Sequence, residues 1–168
     1  MKQIRKNIFE TNSSSTHAIV IPRQAEITIP KLPKKLELDA EYFGWEKDTH
    51  DDWRTKLSYL VAAINCTWRG DISKKDLNQV TENYYTTLRE YLKDLGVEEF
   101  EFNKASCIDH GYECGEFVEF VLSDPSRFHR YLFSQKSIIM TGNDNDDDAK
   151  VGFLVGDPNK YDVFYKGN

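Results

Sequence analysis

Apolar residues recur at helical spacing in two long segments of the chain. The first segment predicts a helix over about 51–66, with Asp51 and Asp52 in its first turn, where the helix dipole favours negative charge. Its apolar face consists of Trp53, Leu57, Leu60, Val61 and Ile64.

The second segment predicts a longer helix over about 74–95. Ser73 and Asp76 resemble a capping box before it, and Gly96 follows at the position where helices commonly end. Its stripe consists of Leu77, Val80, Tyr84, Leu88, Tyr91, Leu92 and Leu95. These two segments are the main amphipathic helices that the sequence predicts.

A third, short helix is predicted near 125–133. Asp124 and Pro125 fit the N-cap and the first helical position, and Phe128, Tyr131 and Leu132 supply an apolar face. The preceding segment, 116–122, fits either a strand or a helix. Pattern alone leaves that choice open.

Alternating or β-branched apolar residues predict short strands in the rest of the chain. The prolines at 22, 30 and 33 interrupt the first two strands and suggest an edge position, and the interval 31–50 is predicted to be loop. The predicted strands are 17–21, 25–30, 97–102, 137–141, 151–155 and 161–165. The sequence therefore predicts one α+β domain over 1–168, with a mixed or antiparallel sheet packed against the helices.

Composition and charge limit the possible functions. The 168 residues include three cysteines and carry a formal net charge of −6, distributed as +2 over 1–93 and −8 over 94–168. No stretch approaches the roughly 20 apolar residues of a membrane-spanning helix, so we expect a cytosolic protein. Nucleic-acid binders normally show a basic face. The acidic C-terminal half therefore indicates a partner other than nucleic acid.

The stretch ETNSSSTH, residues 10–17, allows three interpretations. A phosphate loop needs glycines and usually a lysine, and this stretch has neither. Ser13, Ser14 or Ser15 could pair with His17 as a nucleophile and base, but no orienting third group is evident. The remaining interpretation is a turn whose side chains bond nearby backbone groups before a strand begins.

A run of possible metal ligands follows at Cys107, His110 and Cys114, with zinc-like spacing. A structural zinc needs a fourth ligand, for which Cys66, His129 or a carboxylate is available. The alternative is a turn in which the cysteines pack as small apolar residues. We predict that latter arrangement, with no metal and no cofactor.

Acidic residues are concentrated between 98 and 148. Calcium-like spacing at 144, 146 and 148 does not make an EF-hand, because Ala149 and Val155 replace the required glycine and glutamate. The run is either a solvated loop or part of an anionic surface that imitates DNA phosphates. The predicted surface consists of Glu98, Glu99, Glu101, Glu113, Glu116, Asp144, Asp146, Asp147 and Asp148.

Two phrases carry a resemblance to known proteins. RKNIFETNSSSTHAIVI at 5–21 and SIIMTGNDND at 137–146 resemble a family of small proteins from bacteriophages that infect Gram-positive bacteria. In length and character the chain also resembles small early proteins of staphylococcal phages that inhibit the host sliding clamp, the beta subunit of DNA polymerase III. That resemblance implies a homodimeric inhibitor in the host cytoplasm that occupies the DNA channel of the clamp. It transfers no site residue.

The functional hypothesis is therefore a non-enzymatic inhibitor of host replication that competes with DNA for the clamp. One alternative is an antagonist of another DNA-handling or defence protein, such as a CRISPR effector or a restriction enzyme. Another is a small phage enzyme that uses His17 with its serines, or His110 with Asp109 and Glu113.

Overall fold

A computed structural model describes residues 15–66, 74–109, 114–143 and 159–166. Twelve elements lie within these ranges, and they confirm the predicted α+β class. In chain order they are β1 (Ser15–Pro22), β2 (Lys35–Leu38), β3 (Tyr42–Phe43), β4 (Asp48–His50), α1 (Trp53–Cys66), α2 (Lys74–Asp94), β5 (Glu99–Phe102), β6 (Cys107–Ile108), α3 (Gly115–Leu122), α4 (Pro125–Phe133), β7 (Ile138–Asn143) and β8 (Tyr161–Lys166).

Strand β1 is an interior strand of the main sheet, whose order is β4-β7-β1-β8 with antiparallel pairing throughout. His17 lies opposite Thr141 of β7 and Lys166 of β8. All eight residues of β1 are buried. The edge position suggested by the prolines is therefore wrong for this strand, because Pro22 stands at its last residue, where the missing N–H interrupts no continuing ladder.

Two further strand pairs correct the prediction for 25–50. The structure shows no strand at 25–30, and the predicted loop at 31–50 contains β2, β3 and β4. Strand β2 pairs in parallel with β5, and β3 pairs in parallel with β6. Leu36 and Leu38 are buried between exposed neighbours, which is the alternation of a half-buried strand. These pairings join segments far apart in the chain, so local pattern alone does not determine them.

The helices follow the sequence closely. Helix α1 begins at Trp53 and is capped by Asp52, whose Oδ1 accepts from the Thr55 N–H at 2.8 Å. Asp51 and Asp52 therefore precede the first turn, whereas the sequence predicts them within it. Residues 56–64 are all buried, which makes α1 the central helix. Helix α2 is confirmed, and Gly96 follows it with φ 88°, a conformation that favours glycine.

The last two helices lie next to each other in the chain. The ambiguous segment 116–122 is helical and forms most of α3. Helix α4 has the predicted cap, because Asp124 accepts from the backbone N–H groups of Ser126 and Arg127, and Pro125 opens the helix. No helix in the part of the chain that the structure describes is long and apolar enough to cross a membrane.

The core lies around α1 and is rich in aromatic rings. Tyr59, Phe117 and Tyr131 are buried, with ring centroids 5.9 Å apart for the Tyr59–Phe117 pair and 5.2 Å for Phe117–Tyr131. Edge-to-face contacts of this kind stabilise beyond the area that they bury. The core fixes α1 against β1 and the β3–β6 pair, and these elements carry the candidate site.

Candidate functional site

Two exposed aromatic side chains lie near the turn that joins β3 to β4, Tyr42 on β3 and Trp45 on the turn itself. Tyr42 is 59% exposed and Trp45 is 54% exposed, the highest values among the large hydrophobic side chains in the described ranges. Acidic residues flank both of them. We use the term acidic face for Glu41, Tyr42, Trp45, Glu46 and Asp48.

A cleft of about 510 Å³ opens beside this turn. Three of its side chains are carboxylates, and the surrounding sequence, 39–54, contains six acidic residues against two basic ones. The lining consists of Ala40, Glu41, Tyr42, Phe43, Gly44, Glu46, Asp48, His50, Thr55 and Thr141. A concave, negatively charged site of this kind complements a cationic group.

The carboxylates of the cleft differ in their surroundings. Burial raises the pKa of Glu41, and the charge of Asp52 adds to the rise, while the Ser58 hydroxyl, His50 and Arg54 oppose it. Asp48 is exposed, and its Oδ2 lies 3.9 Å from Nδ1 of His50, which forms an ion pair only when the imidazole is protonated. An incoming positive charge would lower the pKa of Glu41, because a cation favours the ionised form of a carboxyl group.

His17, the last residue of the ETNSSSTH stretch, bonds to the turn of this site. His17 donates from Nε2 to the Gly44 carbonyl at 2.8 Å and accepts at Nδ1 from the Tyr59 hydroxyl at 3.0 Å. These roles follow from the partner, since a backbone carbonyl can only accept. Ser15 donates to the Asp109 carbonyl at 2.9 Å.

A second anchor of the turn comes from β7. The Thr141 hydroxyl donates to the Glu46 carbonyl at 2.7 Å. Strands β1 and β7 thus fix the turn at Gly44 and at Glu46, on either side of Trp45. The turn that carries Trp45 is therefore tied to the main sheet, and Tyr42 lies on β3, the strand that leads into this turn.

The catalytic interpretation of this stretch meets a geometric obstacle. The His17 ring has no exposed surface, and both of its nitrogens are already engaged. Ser15 is also buried. Ser13 and Ser14 lie outside the described residues. In this conformation His17 positions a turn and is out of reach of a substrate.

The acidic residues predicted from the sequence fall into three groups. Glu98 is paired with Lys34 at 2.6 Å, and Glu101 lies 3.4 Å from Lys35, so lysines of the β2 region neutralise part of this charge. Glu99, on β5, and Glu116, on α3, are exposed. The structure thus spreads these glutamates over separate elements. The third group lies outside the described residues and consists of Glu113, Asp144, Asp146, Asp147 and Asp148.

The cysteines come together only in part. The Ile108 N–H donates to Sγ of Cys66 at 3.2 Å, which places this thiol beside Cys107. Burial, followed by the nearby Cys107 thiol, raises the pKa of Cys66. Cys114 is buried, in agreement with a packing role. Within the described ranges no three side chains of the metal-binding types gather, and His110 lies outside those ranges.

Sequence reasoning missed the acidic face for an identifiable reason. The N-terminal half has a net charge of +2, which hides the local excess of acid in 39–54. The sequence nevertheless contained a signal for this site. The excess of acidic residues in 39–54 coincides with two aromatic residues, Tyr42 and Trp45, in a segment predicted to be loop.

Comparison with known proteins adds no relative. The chain matches no protein-family model, no curated protein and no solved structure.

Proposed function

We propose that this chain acts by binding, and that its acidic face docks on a basic, DNA-binding surface of a host protein. The resemblance to phage proteins indicates the replicative sliding clamp as that partner. The observation that carries the proposal is the exposure of Tyr42, on β3, and of Trp45, on the anchored turn after it, among carboxylates.

Each component of the face has a physical role in association. Exposed tyrosine and tryptophan side chains provide large contact area and are enriched among the residues that dominate binding energy. Carboxylates around them steer the encounter with a positive surface and match the charge of DNA phosphates. A protein bound in this way excludes the duplex because both need the same cations.

The remaining acidic residues extend this proposal. Glu99 and Glu116 add exposed charge, and the sequence supplies four aspartates at 144, 146, 147 and 148. We also propose a homodimer in the host cytoplasm, where two copies double the negative charge offered to a ring-shaped partner. A CRISPR effector or a restriction enzyme, the alternative partners, would meet the same face.

The test compares three variants for binding to the purified clamp by titration calorimetry. Tyr42→Ala with Trp45→Ala removes the aromatic contacts, and Glu46→Gln with Asp48→Asn removes two charges from the cleft. Glu98→Gln with Glu101→Gln is the matched control, because it removes two charges that lysines already neutralise. We expect the first two variants to weaken binding at least tenfold, and the control to change it by less than threefold.

Two further measurements address the mechanism of inhibition. Duplex DNA should displace the protein from the clamp, and the affinity should fall as salt rises, because exposed charge pairs are screened over about 10 Å at 0.1 M. Equal affinity for wild type and both face variants would contradict the proposal. So would salt-independent binding that DNA does not displace. If the chain does not bind the clamp but binds another DNA-binding protein through the acidic face, that protein is the partner and the clamp is not.

A further inference from the structure

A second cleft, of about 460 Å³, lies at the end of β1 opposite the acidic face. His17, near the start of β1, contacts the turn of the acidic face, whereas the last residue of the strand, Pro22, lines this second cleft. The five residue steps from His17 to Pro22 span roughly 17 Å along the strand. The two clefts are therefore separate sites. The lining of the second consists of Pro22, Arg23, Gln24, Lys136, Asn159, Lys160 and Tyr161.

The charged side chains in this lining are all cationic. Arg23, Lys136 and Lys160 come from three different parts of the chain, in a protein whose net charge is −6. The cleft therefore gathers positive charge in a chain whose net charge is negative. A concave surface lined by one sign of charge focuses the field and attracts ions of the opposite sign.

Two contacts hold Arg23 in place at the cleft. Its Nε lies 3.1 Å from Oδ1 of Asp162, an ion pair that orients the guanidinium and offsets part of its charge, so Lys136 and Lys160 supply most of the positive charge of the cleft. Its backbone N–H donates to the Lys160 carbonyl at 2.8 Å, which joins the segment after β1 to the start of β8. This wall of the cleft is thus fixed by both backbone and side-chain bonds.

A buried lysine fixes the loop that contributes Lys136 to the lining. Lys56 has no exposed surface, and its ammonium donates to the carbonyls of Ser134 and Ser137, each at 3.1 Å. These two carbonyls bracket Lys136 in the loop between α4 and β7. Lys136 is consequently presented by a restrained loop, and ordering of that loop costs little when a ligand binds.

We propose that this basic cleft binds the phosphate groups of a small ligand of nucleotide size. The volume lies in the range of small-molecule sites, which runs from about 300 to 1,000 Å³. Arginine binds phosphate oxygens through its planar fork, and lysine binds them as a point charge. Gln24 and Asn159 supply amides, and the half-buried Tyr161 supplies a ring, for the uncharged part of the ligand.

The test is titration calorimetry of the full chain with ADP, inorganic pyrophosphate and adenosine. We expect ADP to bind with an affinity that falls as salt rises, pyrophosphate to bind more weakly, and adenosine to show no binding at the same concentrations. Lys136→Gln combined with Lys160→Gln should weaken ADP binding at least tenfold. The matched control, Lys31→Gln with Lys93→Gln, removes two exposed charges elsewhere and should leave it within twofold.

Several outcomes would overturn the proposal. They are the absence of ADP and pyrophosphate binding at millimolar concentration, ADP binding that the Lys136 and Lys160 changes do not affect, and adenosine binding as tight as that of ADP. Pyrophosphate binding as tight as that of ADP would refute the nucleotide size. No clamp takes part in these titrations, so their result is independent of the function proposed above.

Discussion

Nε2 of His17 lies 2.8 Å from the carbonyl oxygen of Gly44, and this hydrogen bond ties the central strand β1 to the turn that carries the acidic face. The same ring accepts from the Tyr59 hydroxyl of α1 at 3.0 Å. One buried imidazole thus connects the main sheet, the central helix and the exposed turn. Its neutral form has the donor and the acceptor that these two partners require.

The first prediction separates the two hydrogen bonds of His17. In His17→Phe both partners stay buried without a bond, and each unsatisfied group costs about 1–3 kcal/mol of unfolding free energy. His17→Gln can retain the donor to Gly44, so we expect it to bind the clamp better than His17→Phe. Urea unfolding and clamp titration are the measurements.

Tyr59→Phe is the control for this prediction, because it deletes only the hydroxyl that bonds to Nδ1. We expect it to lower the unfolding free energy while the turn keeps its bond to His17 Nε2. Wild-type stability and clamp affinity in His17→Phe would show that the imidazole does not organise the turn.

The second prediction concerns the shape of the acidic face. A Cβ at Gly44 would lie 2.6 Å from Cε1 of Tyr42 and 3.0 Å from Oε2 of Glu46. Both atoms belong to side chains that can move, so Gly44→Ala should change the unfolding free energy by less than about 1 kcal/mol. It should nevertheless weaken clamp binding, because it displaces two members of the acidic face. Unchanged affinity in a variant of normal stability would contradict a role for this surface.

The third prediction is a pH dependence of stability due to Lys56. Burial lowers the pKa of this lysine from 10.5 to about 8, against the raising effect of Asp51 and Asp52. Between these values the unfolded chain binds a proton that the folded chain does not. The unfolding free energy therefore rises with pH from about 8 to 10.5. The full rise is roughly 3 kcal/mol, at about 1.4 kcal/mol per pKa unit.

Lys56→Met provides the measurement for this effect. The difference in unfolding free energy between wild type and the variant should grow with pH across that window. The variant also lacks the hydrogen bonds that Lys56 donates to the carbonyls of Ser134 and Ser137. Their loss changes its unfolding free energy by an amount that does not depend on pH. The control variant Lys93→Met replaces an exposed lysine, and its difference in unfolding free energy from wild type should not grow with pH. A difference that stays constant from pH 8 to 10.5 would contradict the depressed pKa.

The fourth prediction concerns metal removal. We expect EDTA to leave the melting temperature unchanged and the purified protein to contain no stoichiometric zinc. A structural zinc would contribute folding free energy directly, so its removal would lower the melting temperature. Zinc near one equivalent, lost in Cys107→Ser together with thermal stability, would establish the Cys107, His110 and Cys114 hypothesis instead.

Local pattern was sufficient for three of the four helices in the described ranges. The 3.6-residue stripe predicted α2, Gly96 marked its end, and Asp124 with Pro125 marked the start of α4. Each of these signals acts within one or two helical turns, because capping and helix amphipathicity involve neighbouring residues. The segment 116–122 was ambiguous because short apolar runs suit both kinds of element.

What the sequence by itself determined is the α+β class, three of the four helices and four of the eight strands in the described ranges. Only the tertiary structure decided that β2 and β3 pair with β5 and β6, since those hydrogen bonds join segments about 60 residues apart. It also decided the role of His17, which depends on Gly44 and Tyr59. Both clefts arise in the same way, because each is lined by residues distant in the chain that packing brings together.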